Sequence, residues 1–283
     1  SLSYAAGEDK NHNFRASIQT GFRNPTTQDQ YIGLDAGAGI LVGTAPDNIS
    51  RYRSQPYDLG INPALGGALG LGTTQVLTGT QAYNNSWTAS SVGAFVAAGA
   101  TNPLLLKKSN VNYVKPEQVT AFEVGYRGLI EGFTIDFSAY YNQYKDFIAS
   151  ENVVAPLYGS VALNDPIPAA GNVPLALIAL DSGDYKGVAF DTNSTADINS
   201  YGAGISVGTK VLDGFDISFN YTYARFNESG ASNPDFEAGF NTPEHKFKMQ
   251  FGKSDVLKNL GFNINFRWQD AFLWQSSFYD GMV

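Results

Sequence analysis

The sequence predicts an all-β fold: an antiparallel transmembrane β-barrel, present as about seven strands of a larger barrel, with long extracellular loops. Apolar and polar residues alternate repeatedly, which is the period of a β-strand. Short and long connections alternate between these strands, as in outer-membrane barrels. Charged residues make up only 16% of the chain, against about 25% in soluble proteins, while Tyr and Phe number 16 and 19. Such rings suit a membrane–water interface.

The alternation predicts seven strands. In each of them the residues of one parity, meaning every second residue, are apolar and lie on one face, and the residues of the other parity are polar and lie on the opposite face. The strands lie at 13–25, 120–128, 133–144, 201–209, 215–223, 246–252 and 262–269. In the first strand, Phe14, Ile18 and Phe22 share one parity, and Arg15 and Arg23 share the other. The opening residues "SLSY" look like the end of a preceding strand.

The connections fall into two classes by length. Tight turns at 128–132, 210–214 and 253–261 join the second strand to the third, the fourth to the fifth and the sixth to the seventh. Long segments at 24–119, 145–200 and 224–245 make the other joins. Because this places all the long loops at one end, it favours a barrel over a sandwich.

The charges decide which face meets lipid. All charges of the alternating stretches fall on the polar parity, and we expect them to face the lumen: Arg15, Arg23, Glu123, Arg127, Asp136, Asp216, Lys246, Lys248 and Arg267. An Arg or Lys on the lipid face near the midplane costs ~2–4 kcal/mol, which explains their absence from the apolar parity. The outer face of a soluble sandwich would show the same separation, but its inner face would favour Val, Leu and Ile over Phe and Tyr.

The totals exclude several classes of protein. A net charge of −8 is wrong for a nucleic-acid binder, which presents basic surface to phosphates. The chain has no cysteine, which excludes disulfides, thiolate metal sites and Cys nucleophiles. The longest apolar run, Val173–Leu180, is much shorter than the ~18 residues of a membrane-spanning helix.

Five strings resemble the later barrel strands of TonB-dependent outer-membrane receptors, especially those of Bacteroidetes-type bacteria. They are NHNFRASIQTGFRNPTTQDQY, VKPEQVTAFEVGYRGLIEG, IDFSAYYNQYKDFI, FNTPEHKF and LGFNINFRWQDAFLWQSSF. The resemblance implies a multi-stranded barrel in the bacterial outer membrane, plugged by an N-terminal domain, which imports a scarce nutrient with energy from an inner-membrane complex. It also implies outer-membrane lipid, the TonB complex and a small nutrient as partners, and we add a surface lipoprotein as a further candidate partner.

The departures from this family concern its two ends. Nothing in the chain resembles the plug or the segment that engages TonB, and the aromatic C-terminal residue is replaced by "YDGMV". We therefore expect residues 1–283 to be part of a single barrel domain, roughly its C-terminal half, with the plug and the closing strands absent.

Two glycine motifs match functional signatures, but we interpret both as structural elements. GISVG at 204–208 matches the serine-hydrolase elbow, but the alternation puts Ser206 in the middle of a strand, where that elbow cannot form. GAGILVG at 37–43 lacks the preceding strand and the acidic partner of a dinucleotide site, so we expect a flexible loop.

Metal sites and catalytic sites are poorly supported. His12 and His245 lie in different turns or loop ends, and we take both as ordinary polar residues. The stretch at 191–199 alternates oxygen-bearing side chains as a calcium loop does, but lacks the required glycine and final acid. We predict no resident metal or cofactor and no enzyme activity, with calcium in this loop as the one alternative.

The long segment at 24–119 carries the candidate ligand-binding residues. A connection of this length is usually functional or disordered. Our hypothesis assigns Arg51, Arg53, Tyr57 and Trp87 to an extracellular loop that captures ligand; the alternative is a loop that only covers the mouth. At the level of the molecule, the alternatives to an active importer are a passive porin-like barrel and a secreted β-rich adhesin or binding module. Siderophore, cobalamin, glycan and peptide all remain open as the nutrient.

Overall fold

A computed structural model describes residues 1–7, 9–37, 39–211, 214–229, 234–276 and 279–282. In chain order, the strands are β1 (Leu2–Ala6), β2 (His12–Arg23), β3 (Gly33–Asp35), β4 (Ile40–Gly43), β5 (Arg53–Asp58), β6 (Thr74–Thr78), β7 (Trp87–Thr88), β8 (Glu117–Ile130), β9 (Phe133–Lys145), β10 (Ile148–Pro156), β11 (Pro166–Ile167), β12 (Val173–Pro174), β13 (Tyr185–Asn193), β14 (Asp197–Val211), β15 (Phe215–Ser229), β16 (Phe236–Glu237), β17 (His245–Leu257), β18 (Leu260–Gln269), β19 (Leu273–Ser276) and β20 (Tyr279–Met282).

The helices are all short. They are α1 (Thr27–Tyr31), α2 (Pro46–Arg51), α3 (Pro63–Ala68), α4 (Gly79–Asn84), α5 (Ala89–Ala97) and α6 (Leu175–Asp181), with 3-10 turns at Pro103–Leu105 and Pro168–Ala170. Within the residues described, no helix is long and apolar enough to cross a membrane. The run Val173–Leu180 forms β12 and most of α6.

One antiparallel sheet contains every strand that the alternation predicts. Its order is β1-β2-β8-β9-β14-β15-β17-β18, in which each strand pairs with the next one along the sheet. The seven predicted strands are confirmed, and "SLSY" contributes to β1 as expected. The strands after β1 are 10 to 15 residues long, enough for the ~9–11 residues that a tilted membrane crossing needs. In the described part of the chain, β1 and β18 are unpaired edges, so the sheet is an open section of a barrel.

The apolar face of this sheet is uncovered. Ile18, Phe22 and Ile264 all lie on the apolar face of their strands. They are 61%, 72% and 61% exposed. The inner face of a soluble sandwich would be buried against a second sheet. The exposure of this face is therefore what a lipid-facing wall requires, and the sandwich interpretation fails on it.

Aromatic rings concentrate on the apolar face. Phe215, Phe251 and Phe262 form a cluster near the tight turns, with centroids 5.4 to 6.3 Å apart. Near the long loops, the Tyr221 hydroxyl bonds Nδ1 of His245 at 2.6 Å. On β17, Phe247 contacts its neighbours between these two ends, so on this part of the wall the rings form a continuous patch instead of two separate bands.

The long loops fold into a compact unit at one end of the sheet. We call it the mouth module: residues 24–116, 146–196 and 234–244, omitting those outside the described ranges. Its six-stranded sheet has the order β16-β10-β13-β4-β3, with β7 also paired to β10, and β4 runs parallel to β13. Two apolar clusters form its core, one around Val42, Leu77 and Phe190 and the other around Trp87 and Phe95.

The expectation of a flexible loop at 37–43 is wrong for its second half. Residues Ile40–Gly43 form β4, which lies between β3 and β13, and Ile40 and Val42 are 1% and 0% exposed. Ile40 and Val42 share one fully buried face, and Leu41 on the other face is partly buried, so three consecutive residues are apolar and the run shows no alternation.

Candidate functional site

The polar face of the barrel sheet carries ion pairs between neighbouring strands. Arg15 on β2 reaches Glu123 on β8 at 3.4 Å. Arg127 on β8 lies 3.8 Å from Asp136 on β9, the residue directly opposite it in the register. All four side chains are more than one-third exposed, so each pair contributes little to stability, roughly 0–1 kcal/mol. Their effect is to place each of these charges on the polar face next to a charge of opposite sign.

A third pair joins the wall to the mouth module. Arg23 Nη2 lies 3.2 Å from Glu117 Oε2, and it also donates to the backbone carbonyl of Ile148 at 3.0 Å. The same Glu117 oxygen accepts from the backbone N–H of Ile148 at 3.0 Å. Glu117 and Ile148 are 7% and 5% exposed. This pair therefore fixes the start of β10 to β2 and β8.

Elsewhere on the polar face, Lys210 pairs with Asp216 at 2.8 Å, whereas three cations of β17 and β18 form no ion pair among the described residues. Lys248 on β17 lies directly opposite Arg267 on β18, and Lys246 lies two residues further along β17. Among the described residues, neither Lys246 nor Lys248 forms an ion pair, and both strands that flank β17 are present. Like charges placed opposite each other are destabilising unless an anion lies between them. This cluster, which we call the wall cations (Lys246, Lys248 and Arg267), can bind a carboxylate or a phosphate.

The two candidate loop arginines lie close together in sequence and in structure. Asn48 Nδ2 donates to the carbonyls of Ile32 and Gly43, which anchors α2 on the module sheet. Arg51 ends α2, where its guanidinium pairs with Asp47 at 2.6 Å and remains 68% exposed. Arg53 begins β5 and donates to the carbonyls of Ser50 and Tyr52. Both are exposed and keep further N–H donors available for a ligand.

The structure does not bring all four predicted loop residues together. Tyr57 packs at the margin of one core cluster, whereas Trp87 is 1% exposed within the other and donates its indole N–H to the Val161 carbonyl at 3.2 Å. Trp87 is therefore a core residue that is almost fully shielded from solvent. The ligand-capture hypothesis therefore rests on Arg51, Arg53 and Tyr57.

Sequence reasoning missed a polar cluster around Tyr57. The Tyr57 hydroxyl donates to the Asp35 carboxylate, and Lys186 Nζ lies 3.7 Å from the centre of the Tyr57 ring. The Tyr52 hydroxyl is buried nearby, and none of the described residues forms a hydrogen bond with it. These residues come from three separate segments of the module, at 35, 52–57 and 186, so no local spacing signals the cluster. The cluster forms only because the tertiary fold places β5 and its preceding residue next to β3 and β13.

The protonation of this cluster is well defined. Burial acts to raise the pKa of Asp35, but hydrogen bonds from Tyr57 and the Gly37 N–H, together with the Lys186 ammonium, outweigh it and leave that pKa below its ordinary value. Burial and the Asp35 charge raise the pKa of Tyr52 to about 12. Burial and the bond to Asp35 also raise the pKa of Tyr57. At neutral pH these shifts keep Asp35 ionised and both phenols protonated.

The other motifs have structural roles. Ser206 lies inside β14, opposite Asp136 and Asn220, so the GISVG motif forms no nucleophile elbow. His12 bonds the Tyr126 hydroxyl at 2.8 Å, just as His245 bonds Tyr221.

The calcium hypothesis at 191–199 gains no support from the geometry. The Asp191 carboxylate accepts from Ser150 at 2.9 Å, and the Asn193 side chain bonds the backbone of Lys115 and Asp146. Through the described ranges, no group of three or more His, Cys, Asp or Glu residues could hold a metal ion.

An antiparallel sheet with a bare apolar face, a charged opposite face and a folded module at its long-loop end has the features of a section of a transmembrane β-barrel. The family model described as "TonB dependent receptor-like, beta-barrel" matches residues 1–281. The chain belongs to this family. The resemblance to TonB-dependent receptors is thereby confirmed, while the Bacteroidetes type and the single-domain assignment of residues 1–283 stay predictions.

Among solved structures, the chain is similar to the siderophore receptor PirA from Acinetobacter baumannii. The two share 12% sequence identity with a TM-score of 0.45, over 99% of this chain and 29% of that chain. The present chain thus spans less than a third of that receptor. A search of curated proteins found no match.

Proposed function

We propose that the whole protein is an active import receptor of the bacterial outer membrane, which takes up a scarce nutrient through a plugged barrel with energy supplied by the TonB complex. The observation that carries this proposal is the family match over 1–281, because that family consists of transport receptors. The open sheet, with its bare apolar face, supports a place in the outer-membrane wall. The plug and the TonB-binding segment would come from parts of the protein outside this chain.

In this proposal, the polar face lines the lumen and the mouth module meets the nutrient first. Two core clusters make the module a folded unit, so it presents Arg51, Arg53 and Tyr57 from a fixed surface. The wall cations then offer an anionic group on the ligand or on the plug a second contact within the lumen. A surface lipoprotein partner remains a further proposal.

Energy dependence separates this function from a passive porin. A strain that lacks the gene would be compared with one that carries it, with and without a functional TonB complex. Each strain would be grown in a defined mixture of ferric siderophores, cobalamin, oligosaccharides and peptides, and depletion of each compound would be measured by mass spectrometry. We expect one compound class to be depleted only when both the gene and TonB are intact. Depletion that persists without TonB would identify a passive channel.

The role of the loop arginines would be tested with the compound that this screen identifies. Arg51→Ala combined with Arg53→Ala should weaken cell-surface binding about tenfold, as the loss of one or two charge-assisted hydrogen bonds predicts. Lys258→Ala, in the tight turn between β17 and β18, is the matched control because it removes a cation at the opposite end of the wall. Unchanged binding and uptake in the double variant would show that these arginines do not bind the ligand, and would favour a module that only covers the barrel mouth.

A further inference from the structure

The uncompensated positive charge of the polar face is concentrated on two adjacent strands. Four acidic side chains of this face each pair with a basic one at 2.8 to 3.8 Å: Glu117, Glu123, Asp136 and Asp216. The wall cations form no ion pair in the described part of the chain, although the chain as a whole carries a net charge of −8. Three positive charges therefore face the lumen together on β17 and β18.

The wall cations lie close enough to share one anion. Lys248 is directly opposite Arg267 in the register, and Lys246 lies two residues from Lys248 on the same face. The Cβ atoms of opposed residues are about 5 Å apart, and those of diagonal neighbours about 7–8 Å. Because Lys and Arg side chains are long, their three charged ends can converge on a single group.

The neighbouring strands place only neutral polar groups around these lysines. On β15, Asn220 lies opposite Lys248 and Thr222 lies opposite Lys246. On β18, Gln269 lies opposite Lys246 and accepts from Arg267 at 2.9 Å.

Two other sources of negative charge are unsuited to the lysines. Glu244, which precedes β17, lies 3.8 Å from Arg225. A further strand beyond β18 would adjoin Arg267 but would lie about 10 Å from β17. The lysine ammonium groups are thus available to a ligand.

The chemistry of this patch suits a phosphate group attached to a sugar. A phosphate monoester carries a charge of about −1.5 to −2 at pH 7 and has three strong acceptor oxygens, which matches three cationic side chains. A single carboxylate has two oxygens and one charge. Arg binds phosphate through two parallel hydrogen bonds, and Lys binds it as a point charge. The surrounding amides and the Thr222 hydroxyl can donate to and accept from sugar hydroxyls.

We propose that the wall cations bind the phosphate of a phosphorylated sugar as it enters the lumen, so that the imported nutrient is a sugar phosphate. Lys246 is the second residue of β17, and Arg267 lies two residues before the end of β18, so the patch lies at the end of the wall that carries the mouth module. The proposal rests on the import function proposed above, for which it names the substrate class.

The binding test uses the complete receptor purified in detergent and isothermal titration calorimetry. The probes are glucose 6-phosphate and inorganic phosphate, compared with glucose, glucuronate and citrate. We expect glucose 6-phosphate to bind most tightly, and Lys248→Gln and Arg267→Gln each to weaken its binding about tenfold. Lys210→Gln is the matched control, because Lys210 lies on the same face but is already paired with Asp216, and this variant should bind as the unaltered receptor does.

Thermal unfolding without ligand tests whether the lysines are free in the complete receptor. Like charges that lie opposite each other are destabilising, so Lys248→Gln should raise the melting temperature. Glucose 6-phosphate should then stabilise the unaltered receptor much more than this variant. A lower melting temperature for Lys248→Gln would show that an acid elsewhere in the receptor already pairs with Lys248, and would overturn the proposal.

Three binding results would also overturn it. They are no binding of glucose 6-phosphate or inorganic phosphate, equal binding of glucuronate or citrate, and unchanged phosphate binding by both glutamine variants. None of these measurements involves TonB, so their failure leaves the import function to be judged by the depletion screen. Depletion that persists without TonB would refute active import while leaving a measured phosphate site in place.

Discussion

At the scale of single residues, Glu117 and Glu123 make a natural comparison. Both lie on the polar face of β8 and both pair with an arginine of β2, but only Glu117 also accepts the buried Ile148 N–H. Glu117→Ala leaves that donor unsatisfied, which costs about 1–3 kcal/mol, or roughly 5- to 150-fold in a local opening equilibrium. We expect amide hydrogen exchange at the start of β10 to accelerate by that factor. Glu123→Ala, which breaks an exposed pair, should change it little; equal effects would contradict the role of Glu117 as an anchor.

Asp191 introduces a pH dependence into the mouth module. Burial, aided by the Asp29 charge, raises its pKa from 3.8 to about 6, partly offset by the bond from Ser150. Because the folded state holds the proton more tightly, the contribution of Asp191 to stability is greatest below about pH 4, falls as the pH rises to about 6, and changes little above that. The two-unit shift corresponds to at most about 3 kcal/mol.

Asp191→Asn tests this dependence, because asparagine is neutral at every pH and still accepts from Ser150. Relative to the unaltered protein, we expect the variant to gain protection from hydrogen exchange at pH 7 by up to about 3 kcal/mol, and to gain almost none near pH 4. A difference that stays constant across this range would show that Asp191 does not titrate as its burial implies.

At the scale of elements, β4 depends on one close backbone approach. Gly43 donates its N–H to the Ile32 carbonyl at 2.9 Å, and a Cβ at this position would lie 2.5 Å from the backbone of Gln30. Gly43→Ala must therefore move α1 away from β4, and we expect a destabilisation of the module of about 1–3 kcal/mol. Gly67→Ala, in α3 with no atom within 4 Å of the added methyl, should be neutral or stabilising by up to about 1 kcal/mol. Protease resistance of the module measures both; equal resistance would mean that α1 adjusts freely.

The strands of the barrel sheet can be predicted from the sequence much more completely than the strands of the mouth module. A strand such as β2 lies between lipid and water, so its residues alternate, and alternation fixes both its place and its faces. β4 is an interior strand of four residues with apolar side chains at consecutive positions, and its partner β13 lies far along the chain, so its local sequence carries no such signal. The same reason explains the site: parity predicts the charged face that holds Arg15 and Glu123, but not the contact between Tyr57 and Lys186.

At the scale of the whole molecule, the two faces of the wall give a direct test of membrane insertion. The 283 residues contain no cysteine, so single cysteines can be placed at Ser17, Ile18 and Gln19, which are consecutive on β2. Each would carry a small fluorophore, and the complete receptor, with any cysteine outside this chain replaced, would be reconstituted in bilayers with brominated acyl chains. Because neighbouring side chains point to opposite faces, we expect strong quenching at 18 and weak quenching at 17 and 19. Unlabelled cysteine variants with retained ligand binding control for folding. The reverse pattern, or the same weak quenching at all three positions, would mean that the apolar face does not contact lipid. The proposal that the protein is an outer-membrane importer would then be wrong.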